Sequence, residues 1–158
     1  MSEFEKEEKI KGALEAQFPG VVSNAAVQRK NRVWLDCAAD KLPAVLDWMR
    51  GQGFDHLATV TGFDEGENLG AAYHMTDTHM IVTVKARTPR ANPSLPSVLS
   101  IFPGALSYER ELEDMFGIKV QGLPPGRRYP LDDDFPKDQY PLRKDWKFVP
   151  PADEVEAK

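Results

Sequence analysis

Apolar positions change their spacing several times along this chain, and each change predicts an element. Ile10, Leu14 and Phe18 recur at i, i+4 and i+8, which predicts a helix over Phe4–Phe18 with one apolar stripe. Pro19-Gly20 ends it. The period then drops to two. Val21–Gln28 and Arg32–Cys37 read as strands joined by a turn at Arg29-Lys30-Asn31. In the second strand Val33, Leu35 and Cys37 share one face, and Trp34 and Asp36 share the other. Helical spacing returns at Leu42, Val45, Leu46 and Met49. Asp40 is placed to cap that helix, and Pro43 falls in its first turn, where no N–H is needed. Gly51 or Gly53 supplies the stop.

His56–Phe63 predicts a third strand. Gly70–Thr76 and His79–Ala86 predict a hairpin around Asp77, with Met80, Val82 and Val84 alternating with Ile81, Thr83 and Lys85. Thr88–Pro96 contains Pro89, Pro93 and Pro96 and reads as a loop. A short helix is expected over Ser97–Phe102. An acidic helix over Leu106–Phe116 follows, with Gly117 at its C′ position. The order αββαβββα predicts an α+β fold: a single domain whose mixed β-sheet is packed by helices. Its parts are an N-terminal helix (1–20), a core domain (21–118), an extended Pro-rich docking arm (119–151) and a disordered tail (152–158). Beyond Gly122 the arm has too little apolar periodicity to build a core, so it is expected to be mobile without a partner. Ordered, it must lie on something, which suggests a docking segment of a larger assembly.

Composition narrows the class. The 158 residues are 41% hydrophobic and 28% charged, enough for one real core. A net charge of −5 argues against a surface generally suited to nucleic acid. No apolar run approaches the roughly 18 residues of a membrane span. Met1–Gly12 is highly charged and lacks the apolar core of a signal peptide, so the expected location is the cytoplasm or the cytoplasmic face of a membrane. Cys37 is the only cysteine; it makes no intrachain disulfide and alone holds no iron–sulfur cluster.

Three groups of residues invite a chemical reading. Glu109, Glu111, Glu113 and Asp114 crowd one short helix, and paired carboxylates serve acid–base or metal chemistry. Arg110 and Asp114, however, are spaced as i,i+4 partners, and Tyr108, Leu112, Met115 and Phe116 supply an apolar face. Structural or interface charge is the better reading. His74, Asp77 and His79 flank a turn, but 74 and 79 differ by an odd number and no third ligand is near. His56 stands alone and reads as structural. Arg127-Arg128 and Arg143-Lys144, interleaved with Tyr129, Tyr140 and Trp146, would suit phosphate or RNA. Asp132, Asp133 and Asp134 between the pairs oppose a polyanion, and the arginine fork equally serves protein interfaces. Protein docking is therefore preferred to a stand-alone RNA- or anion-binding module. There is no P-loop, no dinucleotide fingerprint and no nucleophile motif.

Glu109-Arg110-Glu111-Leu112-Glu113-Asp114-Met115-Phe116-Gly117, then Gly-Leu-Pro-Pro-Gly-Arg-Arg over 122–128, then Tyr140-Pro141-Leu142-Arg143-Lys144-Asp145 stand in a specific order. That order resembles the signature of the 30-kDa subunit family of respiratory complex I, NADH:quinone oxidoreductase. The family includes the small subunits of energy-converting membrane-bound [NiFe] hydrogenases, and the resemblance spans about residues 40–148. It implies a cofactor-free member of the peripheral arm that docks on a large catalytic subunit and joins it to an iron–sulfur small subunit. Iron–sulfur clusters, with a quinone or nickel–iron site, would belong to those partners. The resemblance carries over Glu109, Arg110, Glu111, Asp114, Gly117, Arg127, Arg128, Pro141, Leu142, Arg143 and Lys144. Ser107 stands where the family commonly has Trp. Gly122-Leu123-Pro124 stands where complex I usually has Gly-His-Pro. With the compact length, these departures lean towards the hydrogenase type.

Overall fold

Three α-helices and seven strands form within residues 3–148, which a computed structural model describes. They are α1 (Glu5–Gln17), β1 (Val22–Arg29), β2 (Arg32–Cys37), α2 (Leu42–Gly51), β3 (His56–Asp64), β4 (Asn68–Thr76), β5 (Ile81–Pro89), β6 (Ser94–Pro96), α3 (Leu106–Phe116) and β7 (Lys119–Gln121). The expected tail 152–158 and the last arm residues, 149–151, lie outside the described residues. Among the described residues no helix is long and apolar enough to cross a membrane.

The period-two segments build a five-stranded mixed sheet in the order β1-β2-β5-β4-β3. β2 and β5 run parallel and the other pairs antiparallel, so the α+β fold with a mixed sheet is the one observed. Register puts Val33 and Leu35 beside Val82 and Val84, and Val84 beside Tyr73. These residues face a single core shared with Leu14 of α1, Leu42, Val45, Leu46 and Met49 of α2, and Leu112 and Phe116 of α3. Gly62 on β3 marks how closely α3 approaches: a Cβ there would overlap the Phe116 ring and the Leu112 side chain. The opposite face carries Trp34, Phe63, Ala72 and His74. There Lys85 lies over the Phe63 ring, and both Lys85 and Arg87 are paired with Glu65.

Four local expectations need correction. Asp40 does not cap α2: a 3-10 turn over Ala39–Lys41 precedes the helix, and no side-chain cap bond forms. β5 begins at Ile81 rather than His79, because Asp77 Oδ1 accepts the amides of His79 and Met80 and closes the turn. Ser97–Phe102 is not a helix. Leu99 N donates to Ser97 Oγ, Ile101 N and Phe102 N both donate to Val98 O, and Pro103 then starts a 3-10 turn. The Thr88–Pro96 loop hides β6, which pairs in parallel with β7. Lys119–Gln121, assigned to the arm from sequence, is thereby part of the domain. Three-residue strands have too few positions for period two to register.

Candidate functional site

The acidic helix α3 is the centre of the site. Ala105 stands at its N-cap without a side-chain bond, and Gly117 ends it in the left-handed region, with φ 67°. There Gly117 N donates to Glu113 O at 3.0 Å and Ile118 N to Leu112 O at 3.1 Å. At about 100° per residue, neighbouring acids of this helix point in different directions. Glu109 points inward and is fully buried. It accepts Ser97 Oγ at 2.7 Å and Val98 N at 2.6 Å, holding the turn that replaces the expected helix. Burial pushes its carboxyl up, against the pull of those two donors. Glu113 accepts Val120 N at 3.1 Å and so orients β7. Glu111 is half-buried and makes no side-chain hydrogen bond or ion pair among the described residues. Glu109 and Glu111 therefore do not converge on one reacting atom.

The outward face of α3 receives the arm. Arg110 does not pair with Asp114, as its spacing suggested. Its guanidinium donates to Pro124 O at 3.3 Å and Arg127 O at 3.2 Å. Gly126 lies directly against that guanidinium, leaving no room for a Cβ. Asp114 instead takes Arg128: Oδ1 accepts Nε at 2.8 Å and forms an ion pair with Nη2, also at 2.8 Å, while Oδ2 accepts Leu131 N at 2.7 Å. Arg128 also donates to Phe135 O at 2.9 Å. The competition is decided by geometry, since Arg128 reaches one carboxylate oxygen through two nitrogens.

Further along, the arm satisfies the end of α3. Leu142 N donates to Met115 O at 3.1 Å and Arg143 Nε to Phe116 O at 2.6 Å, so two carbonyls of the last turn find donors on the arm. Arg143 lies 4.5 Å from the Tyr140 ring centre. A Cβ on Gly117 would come within 2.6 Å of Tyr140 and 2.8 Å of Arg143. Lys144 N donates to Asp64 Oδ2 at 2.8 Å across 80 residues of chain. Asp64 also accepts Gly66 N at 2.9 Å and the Arg90 guanidinium, and Arg90 in turn holds Asp145 at 3.1 Å. Burial alone would raise the Asp64 carboxyl. The Arg90 bond and the Gly66 and Lys144 amides outweigh it and hold the group well below the usual carboxylate range.

From sequence the arm is expected to be mobile without a partner, and where it rests is not specified; in the structure it lies along α3. Of the residues singled out, Arg110, Asp114, Gly117, Arg128 and Arg143 meet in that contact. Leu142 and Lys144 join it through their backbone amides while their side chains stay exposed. Pro141 is half-buried beside them. Arg127 is exposed, 3.4 Å from Asp133. Asp64 and Arg90 were missed. The Asp-x-Gly turn at 64–66 was visible in the sequence, but nothing local reports a partner 80 residues away.

The histidines, Asp77 and Cys37 do not assemble a site. His74 Nδ1 is bonded to Thr83 Oγ1 at 2.9 Å and Nε2 to Thr61 Oγ1 at 3.3 Å, and Asp77 is consumed by its turn. His56 is exposed at the start of β3. Among the described residues no three His, Cys, Asp or Glu side chains group as metal ligands. Cys37 is buried, and burial pushes its thiol up to about 12, which makes it a poor nucleophile.

Comparison with known proteins identifies the family. The family described as respiratory-chain NADH dehydrogenase, 30 Kd subunit, matches residues 35–151. A subunit of the F(420)H(2) dehydrogenase of Methanosarcina mazei is 34% identical over 143 residues, covering 87% of this chain and 90% of that protein. Formate hydrogenlyase subunit 5 of Escherichia coli is 35% identical over 151 residues, 92% of this chain but only 26% of that longer protein. A chain of the membrane-bound sulfane sulfur reductase, an archaeal respiratory membrane complex, superposes with a TM-score of 0.80 at 28% identity, covering 92% of this chain and 88% of its own. The match over most of the chain means that this protein belongs to the family of the respiratory-chain NADH dehydrogenase 30 kDa subunit.

Proposed function

We propose that this chain is a structural and assembly subunit of a complex I-like, membrane-associated oxidoreductase, and that it contributes docking surface rather than redox chemistry. Its partners are the large catalytic subunit and an iron–sulfur small subunit of the peripheral arm. The clusters, with the quinone or nickel–iron site, reside in those partners. Attachment to the cytoplasmic face of the membrane is indirect, through the complex. The observation that carries this reading is the distribution of exposed apolar side chains. Tyr129 (50%), Leu142 (48%) and Phe148 (69%) lie on the arm, and only Leu106 (38%) is a comparable large exposed hydrophobic elsewhere among the described residues. Apolar groups held outward on a segment fixed to its own domain suit a protein partner.

The test is co-purification of the tagged full chain from cells expressing its complex. The large and iron–sulfur subunits should co-elute, resisting nuclease and high salt, and the isolated chain should be colourless and redox-silent. Stoichiometric iron, nickel, flavin or zinc in the pure folded chain would overturn the cofactor-free reading. Salt-sensitive binding to nucleic acid without co-eluting protein would favour the anion-binding module instead. A co-eluting large subunit with a pair of Cys-x-x-Cys motifs would make the complex the hydrogenase type, and one lacking them the quinone-reducing type.

A further inference from the structure

We infer that the arm is a pre-shaped docking element, set by this chain before any partner binds, with Asp114 and Asp64 as its positioning residues. The inference rests on the docking reading above and adds a division of labour within the arm. One side of residues 122–148 is committed to the domain. Arg110 holds two carbonyls before Arg128, Asp114 holds the Arg128 side chain and the Leu131 amide, and Asp64 holds the Lys144 amide. The other side leaves Tyr129, Leu142 and Phe148 exposed, and with them the cations of Lys144 and of Arg127, the latter 3.4 Å from Asp133.

The two sides are separated residue by residue. Arg127 points out and Arg128 in. Leu142 donates its amide to Met115 O while its side chain stays exposed, and Lys144 does the same towards Asp64. Both surfaces are shaped for this contact, since Gly117 and Gly126 stand where any Cβ would collide with Tyr140 and Arg143 or with Arg110. Such a segment loses its conformational entropy when the domain folds rather than when it docks, which favours tighter capture for the same contact area. The arm carries six basic and five acidic side chains over 122–148, so no strong field attracts a polyanion or an anionic membrane. The surface it fits is a protein with apolar sockets for the three large side chains and carboxylate or carbonyl acceptors for the cations.

The experiment pairs hydrogen exchange on the free full chain with capture of the co-expressed large subunit. In the wild type, the amides of Leu131, Leu142 and Lys144 should exchange at least tenfold more slowly than exposed arm amides such as Asp133. Asp114→Asn should speed exchange at Leu131 by tenfold or more and weaken capture by a similar factor. Arg128→Gln releases the same contact from the arm side without altering α3, and covers the case in which the Asp114 variant folds poorly. The double variant Leu142→Ala/Phe148→Ala should weaken capture and leave arm exchange unchanged. Unprotected arm amides in a wild-type chain that still captures its partner would overturn the inference alone. So would undiminished capture by Arg128→Gln when its arm exchange is accelerated. A wild-type chain that captures no large subunit, whatever its exchange, would overturn the docking reading itself.

Discussion

In the domain, order comes from burial; in the arm, it comes from a short series of directed hydrogen bonds. The domain packs Leu14, Leu42, Leu46, Met49, Tyr73 and Leu112 out of solvent between one sheet face and three helices. Residues 122–148 contain no regular helix or strand and leave Tyr129, Leu142 and Phe148 exposed. Burial is additive over many atoms and tolerates small shifts, whereas the arm depends on Asp114, Asp64 and two helix-end carbonyls being in place. The arm can therefore be loosened without unfolding the domain, but the domain cannot be damaged without loosening the arm. That asymmetry suits a docking element, whose outward side must stay unsatisfied until a partner arrives.

The largest effect should come from the shared layer. Leu112→Ala opens a cavity between α3 and Gly62 and should cost about 2–5 kcal/mol in denaturant unfolding. Because α3 is also the bed of the arm, arm amides should lose protection in the same variant. Intact arm protection in a destabilised domain would break the asymmetry. Next is Glu109→Ala, which leaves Val98 N and Ser97 Oγ without their buried acceptor and should cost about 1–3 kcal/mol.

Glu109 also sharpens the comparison through pH. Its folded carboxyl titrates above the ordinary 4.5, so the native state binds its proton more firmly than the unfolded state. Its contribution is thus most favourable in acid and declines as pH rises through and above that value. Asp64 has the opposite sign. Its folded carboxyl lies below the ordinary 3.8, so its stabilisation is present above that value and lost only as pH falls beneath it. Urea melts over a pH series should show a slope that Glu109→Gln flattens. Exchange at Lys144 should keep its protection from neutral pH down to about 4 and lose it in stronger acid. Loss of that protection near neutral pH would mean that Asp64 is not the group holding the amide. The smallest effect on stability is expected for Leu142→Ala, within about 0.5 kcal/mol in a thermal melt, because its side chain is already exposed.

Much of the architecture was legible along the chain because it is written in local periodicity. The 3.6-residue stripe of α1 and α2, the alternation of β2 and β5, the turn at Lys30-Asn31 and the glycine after α3 are each decided by neighbours within a few residues. The ordered blocks from Glu109 to Asp145 were enough to indicate the family that the comparison then showed. The tertiary structure alone decided which charges meet. Arg110 and Asp114 had the spacing of partners, yet each found a better one on the arm. The parallel pairing of β6 with β7, and the reach of Lys144 to Asp64, likewise join segments whose proximity no local pattern encodes. Periodicity reports which side of an element is buried. Which donor completes a given carboxylate depends on where distant chain is brought, and the folded core sets that position.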